Sequence, residues 1–312
     1  MKIAALAGGV GGSKLALGLY RVMNPADLTL IVNTGDDIVM HGLHVSPDPD
    51  IIIYTLAGVV SEEHGWGIRN ETFHLAEGLK RYGRPTWFNL GDRDLATHVH
   101  RSALLREGAT LSEAIDAIRE ALGVTARILP MSDQPVPTML DTDEGTLHLQ
   151  DYLVRRRCEP MLRGIAFQGV ERARPAPGLL ETIADALGIV ICPSNPLISI
   201  GPILAVPGVR EALRRRREDV VAICPLVGGK SLKGPSDKMM SELGYEVSAA
   251  GVASLYRDFC GTIMIDGADE ASTSAIKALD MQPVVRPTVM RSLEDKERLA
   301  REVLALFAHR AR

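Results

Sequence analysis

The residues best suited to chemistry lie in short polar or glycine-rich segments. The first is Gly8-Gly9-Val10-Gly11-Gly12-Ser13-Lys14, between an apolar stretch and a helical pattern. Backbone amides freed by glycine at a helix N-terminus favour an anion, phosphate above all. Two familiar phosphate motifs fail here. A P-loop needs glycine before its lysine and Ser or Thr after it, where this chain has Ser13 and Leu15. A dinucleotide fingerprint anchored at Gly9 and Gly11 needs a third glycine where Lys14 stands. A tight strand–helix turn without a ligand is the competing reading, and the density of glycines favours phosphate.

The second segment, Asn33-Thr34-Gly35-Asp36-Asp37, sets two adjacent carboxylates beside that cradle. A hard divalent cation such as Mg2+ is held by one or two carboxylates plus substrate phosphate, although the same residue types also build plain turns. In Ser46-Pro47-Asp48-Pro49-Asp50, prolines stiffen the approach and Asp50 opens an apolar helix. Asp50 either caps that helix, accepts a hydroxyl proton or helps to hold metal. Asn89-Leu90-Gly91-Asp92-Arg93-Asp94-Leu95-Ala96-Thr97-His98 puts Asp94 and His98 on one helical face at a site edge. Pro193-Ser194-Asn195-Pro196 follows a buried strand. Gly228-Gly229-Lys230-Ser231 imitates the end of a P-loop but lacks its first glycine, Cys224 standing in that place.

These segments need elements to position them. Lys2–Ala7, Leu28–Val32, 86–90, 164–170, 188–192, 219–224 and 261–266 read as strands. Helical spacing marks Ser13–Met23, Ile51–Val60, Asn70–Tyr82, Leu95–Glu107, Leu111–Leu122, 178–187, 207–217, 236–243, 269–279 and 293–309. Residues 131–145 form a polar loop or hairpin. The alternation predicts a Rossmann-like α/β fold, a mainly parallel three-layer sheet with a helical insertion. One domain is expected over 1–312, with the helix-rich insertion at about 40–125. The turns then fall at the carboxyl ends of parallel strands, where open α/β sheets bind ligands.

Composition narrows the field. A net charge of −4 offers no electrostatic footprint for nucleic acid or an anionic membrane, and neither is an expected partner. The four cysteines lie far apart and read as reduced thiols of a cytoplasmic protein. The run Arg214–Arg217 ends a helix, where cations complement the macrodipole, so a solvated face is preferred to a phosphate site.

In this order the motifs resemble the 2-phospho-L-lactate transferase family of coenzyme F420 biosynthesis. The resemblance runs through GGVGGSK at 8–14, NTGDD at 33–37, SPDPD at 46–50, WGIRNETF at 66–73 and LGDRDLATH at 90–98. It continues through ILPMSD at 128–133, PSNPLISIGPI at 193–203 and the glycine-lysine loop at 228–235. It implies a Mg2+-dependent transferase that joins a phospho-acid (lactyl, enolpyruvyl or phosphoglyceryl) to the ribityl hydroxyl of the deazaflavin Fo. The donor would be guanosine-diphosphate-linked, and GMP would leave. Homodimers are the commonest assembly for such enzymes, so a homodimer is expected.

On that resemblance Gly9, Val10, Gly11, Gly12, Lys14, Ser194, Asn195, Gly229 and Lys230 bind the nucleotide and its phosphates. Asp36, Asp37 and Asp50 hold Mg2+, and Asp50 or Asp37 is the acid nearest the attacking hydroxyl. Asp50, Asn89, Asp92 and His98 meet the deazaflavin, with the helical insertion forming part of that site. Some members carry lysine where this chain has Asn89, so a charge-based role does not transfer. The competing expectation is a nucleotide-sugar-binding regulatory protein resembling the gluconeogenesis-factor group. WGIRNETF and LGDRDLATH favour the transferase.

Overall fold

A computed structural model describes residues 1–61, 63 and 65–308. The chain begins with β1 (Ile3–Ala7), α1 (Gly9–Val22) and β2 (Leu28–Val32), followed by the hairpin β3 (Ile38–Met40) and β4 (Leu43–Val45). Helices α2 (Pro47–Leu56), α3 (His74–Arg81), α4 (Asp94–Arg106) and α5 (Leu111–Ala121) then lead to β5 (Arg127–Pro130). Next come β6 (Thr138–Thr142), β7 (Gly145–His148), β8 (Leu162–Phe167), α6 (Leu179–Asp185) and β9 (Gly188–Ile191). Helices α7 (Gly201–Ala205) and α8 (Val209–Arg215) precede β10 (Val220–Ile223) and the ribbon β11 (Leu226–Val227) and β12 (Lys230–Ser231). The chain closes with α9 (Ser236–Glu242), α10 (Ala249–Tyr256), β13 (Thr262–Ile265), α11 (Thr273–Lys277), β14 (Gln282–Val285) and α12 (Leu293–Ala308).

Seven parallel strands form the central sheet in the order β14-β13-β10-β9-β1-β2-β5. β1, β9, β10 and β13 are buried along their whole length, which explains their continuous apolar runs. On one face α1, α2, α5 and α12 supply Leu15, Ile52, Ile115 and Val303 to the core. On the other, α6, α8, α10 and α11 supply Ile183, Leu213, Val252 and Ile276. The result is the expected three-layer, Rossmann-like arrangement. Both edge strands carry a proline, Pro130 in β5 and Pro283 in β14. Proline is tolerated at such edges because it has no amide to donate.

The order of strands reverses between β1 and β9, which makes their carboxyl ends the switch point. Between β2 and β5 lie the β3–β4 hairpin and four helices, so the expected helix-rich stretch is present. Residues 86–90 do not form a strand; Trp87 and Phe88 instead pack beside Met40, Val45 and Leu90 in a small cluster. The 131–145 segment enters a hairpin whose second partner is β8, giving a separate antiparallel sheet β7-β6-β8. The strand expected at 164–170 is thus shorter and outside the parallel sheet. Glycines 9, 11 and 12 belong to the first turn of α1 rather than to a loop before it. Among the described residues no single helix is long and apolar enough to cross a membrane.

The arginine run is engaged by its own fold. Arg216 donates to the carbonyls of Ile183, Ala184 and Ala186 at the end of α6, and Arg214 pairs with Asp258. These contacts satisfy carbonyls left open at a helix C-terminus.

Candidate active site

The switch point opens into a cleft of about 840 Å3. Its floor is the junction of β1 with α1, clasped by the turn after β9. Ser194 Oγ accepts from the Gly8 amide at 3.1 Å and donates to the Gly8 carbonyl at 2.7 Å. The approach is so close that a Cβ on Gly11 would lie 2.2 Å from the Pro193 carbonyl oxygen. Only glycine fits there. Of the residues expected to bind the nucleotide, Gly9, Val10, Gly11, Lys14, Ser194 and Asn195 line the cleft, while Gly12 is buried and not among the lining residues. Gly229 and Lys230 are not among the lining residues; Lys233, from the same loop, is.

Lys14 reaches across α1 to donate to the Met290 carbonyl at 3.2 Å. Burial pushes its pKa down, and the neighbouring cations Lys233 and Lys296 push it further. Such a clustering of positive charge is costly without an anionic partner. Arg291 lines the same cleft.

Opposite the lysines is a buried carboxylate pair. Asn33 Nδ2 donates to Asp48 Oδ2 at 2.8 Å and lies 3.5 Å from Asp36 Oδ1. Gln150 Nε2 donates to the other oxygen of Asp36 at 3.0 Å, and the Gly9 amide donates to Asp48 Oδ1 at 2.7 Å. Burial raises the Asp36 carboxyl well above the usual range, and the Asp48 carboxylate adds to the shift. Burial likewise lifts Asp48 to about 6, against the pull of its hydrogen bonds from Asn33 and Gly9. Two hard carboxylates that resist ionisation together form a donor set suited to Mg2+.

The other expected acids lie behind this pair, outside the cleft lining. Asp37 accepts from Ser46 Oγ at 2.7 Å and lies 3.5 Å from His44 Nε2. Burial, helped by Arg101 and His98, pushes His44 down to about 4, so that contact is not an ion pair near neutrality. Asp50 meets both terminal nitrogens of Arg101, and His98 Nδ1 is 3.6 Å from its Oδ2. His98 Nε2 lies 3.3 Å from Asp94, which accepts from Tyr54 at 2.5 Å. Asp50, Asp94 and His98 are close enough to suit a metal, but the guanidinium of Arg101 already supplies the positive charge there.

The deazaflavin-side expectations separate. Asp92 accepts from the amides of His74 and Leu75 at 2.9 and 3.0 Å and from Thr72 Oγ1 at 2.7 Å, which caps α3. Asn89 is exposed, and His98 is buried in the Asp50 cluster. Sequence reasoning places Lys233 near the nucleotide, at the end of the 229–233 stretch, but misses two other residues: Asp48 stands within the same SPDPD motif as Asp50, and Arg101 has no local signal at all.

Sheet, switch point and cleft define an α/β ligand-binding protein of the doubly wound class. Residues 3–304 match the family described as 2-phospho-L-lactate transferase CofD. A phosphoenolpyruvate transferase of Kitasatospora aureofaciens is 42% identical over 313 residues, covering 98% of each chain. A 2-phospho-L-lactate transferase of Methanosarcina mazei is 39% identical over 300 residues, covering 96% of this chain and 98% of the relative. A UPF0052-family protein of Bacillus halodurans has the same fold, with a TM-score of 0.66 over 97% of this chain at 17% identity. The chain belongs to the 2-phospho-L-lactate transferase family and is an enzyme of that family.

Proposed function

We propose that this enzyme transfers a three-carbon phospho-acid, of the lactyl or enolpyruvyl kind, from a guanosine-diphosphate-linked donor to the ribityl hydroxyl of the deazaflavin Fo. The product belongs to coenzyme F420 biosynthesis. The carrying observation is the cleft itself, which brings Lys14 and Lys233, the Asp36–Asp48 pair and the glycines 8, 9 and 11 into one lining. Lysines and amides suit a diphosphate, and the carboxylates suit the cation that accompanies it. The names of the relatives support the acid's class, since both phosphoenolpyruvate and phospholactate transferases match along nearly their full lengths.

The residues would share the work as follows. Gly9 to Gly11 and Lys14 hold the diphosphate at the N-terminus of α1. Asp36 and Asp48 would hold Mg2+, which when bound neutralises phosphate charge and the leaving GMP. The Fo hydroxyl oxygen attacks the phosphorus that bears the acid, and the bond from that phosphorus to the GMP oxygen breaks. The hydroxyl proton passes to a cleft carboxylate and on to solvent. Positioning and charge neutralisation carry most such transfers, so no covalent enzyme intermediate is required.

The test offers purified protein Fo, Mg2+ and the lactyl, enolpyruvyl and phosphoglyceryl donors in competition, with mass spectrometry of the products. An Fo adduct with release of GMP is expected. Absence of any adduct with all three donors would overturn the proposal.

A further inference from the structure

Arg101 is the largest side chain among the fully buried residues, and Asp50 and Asp37 stand beside it. Its terminal nitrogens meet both oxygens of Asp50, one at 3.1 Å. Nη1 also reaches the His44 carbonyl at 3.4 Å, while the next residue of α4, Ser102, accepts from the His44 amide at 2.7 Å through Oγ. Helix α4 therefore grips β4 by both backbone groups of one residue, and grips the first turn of α2 by Asp50. Asp48 belongs to that same turn, two residues earlier. Its two oxygens point the other way, to the Gly9 amide and Asn33.

The groups around the guanidinium are Asp50 and Tyr54 from α2, Asp37 before β3, His44 on β4, and His98 on its own helix. One cation thus answers the acids behind the cleft, whereas Asp36 and Asp48 are held by neutral donors, the amides of Asn33, Gln150 and Gly9. We propose that Arg101 is the positioning residue of the site: by holding Asp50 away from the cleft and fixing the start of α2, it leaves Asp36 and Asp48 as the carboxylates that receive the divalent cation. Arginine suits this role because its planar fork spans both carboxylate oxygens, whereas lysine offers a single point of charge.

This inference rests on the proposed assignment of Asp36 and Asp48 to the cation, and its kinetic arm rests on the transferase reading as well. The binding arm uses Mn2+ alone, followed by electron paramagnetic resonance on the full chain without substrates. Arg101→Lys is expected to keep the parental far-ultraviolet circular dichroism and to weaken Mn2+ binding by about 10- to 100-fold, the range known for residues that orient metal ligands. In turnover, the Mg2+ requirement should rise by a similar factor, while the KM for Fo at saturating Mg2+ stays within about twofold of the parent. Parental Mn2+ affinity in a folded Arg101→Lys protein would overturn the proposal, as would an equal loss for Fo.

A second variant keeps the test decisive if that one fails to fold. Asp50→Asn retains hydrogen bonds to Arg101 and should retain the parental Mn2+ affinity. Loss of Mn2+ binding there would make Asp50 itself a ligand and sink the proposal. If neither Fo adduct nor GMP forms with the parent, the transferase reading fails while the Mn2+ result still judges Arg101.

Discussion

Asp48 Oδ1 accepts the Gly9 amide at 2.7 Å, so the first turn of α1 is capped by a carboxylate from the first turn of α2. An N-terminal helix amide that would suit phosphate is thus engaged by the chain's own anion. A donor diphosphate must share or displace that contact, and a cation drawing on Asp48 would ease the exchange. On the proposed reading, Asp48 would be the residue through which metal and donor binding meet.

Asp48→Asn should reduce Mg2+-dependent turnover by about two orders of magnitude or more, a loss typical of removing one preorganised electrostatic contact in a transferase or hydrolase site. The amide oxygen can still accept from Gly9, so circular dichroism should be unchanged. Steady-state rates across a Mg2+ titration provide the measurement, and a rate within a fewfold of the parent would exclude a direct role.

The same residue sets a pH dependence. Burial raises Asp48 to about 6, above the ordinary aspartate value near 4. Between those values the folded chain keeps a proton that the unfolded chain has released. Stability from this group therefore falls as pH rises from about 4 to about 6 and does not recover above. Asp48→Asn removes the effect, so without divalent cations the variant should gain stability over the parent between about pH 4.5 and pH 7.5. Denaturant midpoints of both proteins at the two pH values check the sign, and Mg2+ should narrow the gap at the higher one.

Lys14→Met should raise the KM for the guanylated donor by about 10- to 100-fold, consistent with losing one charge-assisted contact, and leave the KM for Fo nearly unchanged. The depressed pKa of Lys14 comes from burial and from Lys233 and Lys296, so its loss should not unfold the protein. Initial rates with each substrate varied in turn separate the two constants. Equal rises in both would move Lys14 away from the phosphates.

Gly11→Ala tests the floor of the cleft. The added methyl would meet the Pro193 carbonyl oxygen at 2.2 Å, which forces α1 and the turn after β9 apart. A cost of about 1–3 kcal/mol is expected from such overpacking. Urea unfolding measures it, and a midpoint equal to the parent's would mean that the two segments yield freely.

Much of this architecture could be read from the sequence because buried parallel strands advertise themselves. Ile3–Ala7 and Val220–Ile223 are apolar without interruption, and Leu28–Val32 is broken only by Thr29. The edge strands Arg127–Pro130 and Gln282–Val285 were hidden by proline and by polar residues at their ends. The stretch 86–90 carries strand-like residues but pairs with no strand among the described residues. At the site, the glycine segment and Ser194 were legible because they sit at the ends of obvious strands. Asp48 and Asp50 were not separable in advance. Each is an aspartate after a proline, and what divides them is Gly9 and Asn33 on one side and Arg101, far along the chain, on the other.

The prolines at the two edges also bear on assembly. Met131 donates to Val32 across the β2–β5 pair, so by strand alternation residue 130 faces outward. Gln282 and Arg286 donate to Gly261 and Ile265, which turns residue 283 outward as well. At both margins one of the two outward positions that would offer an amide to an incoming strand is a proline. Neither margin therefore offers a full ladder for a sheet continued from one molecule into the next, and growth by edge-to-edge stacking is disfavoured at both ends. The surfaces left open to a second copy of this chain are then chiefly its helices and the small antiparallel sheet.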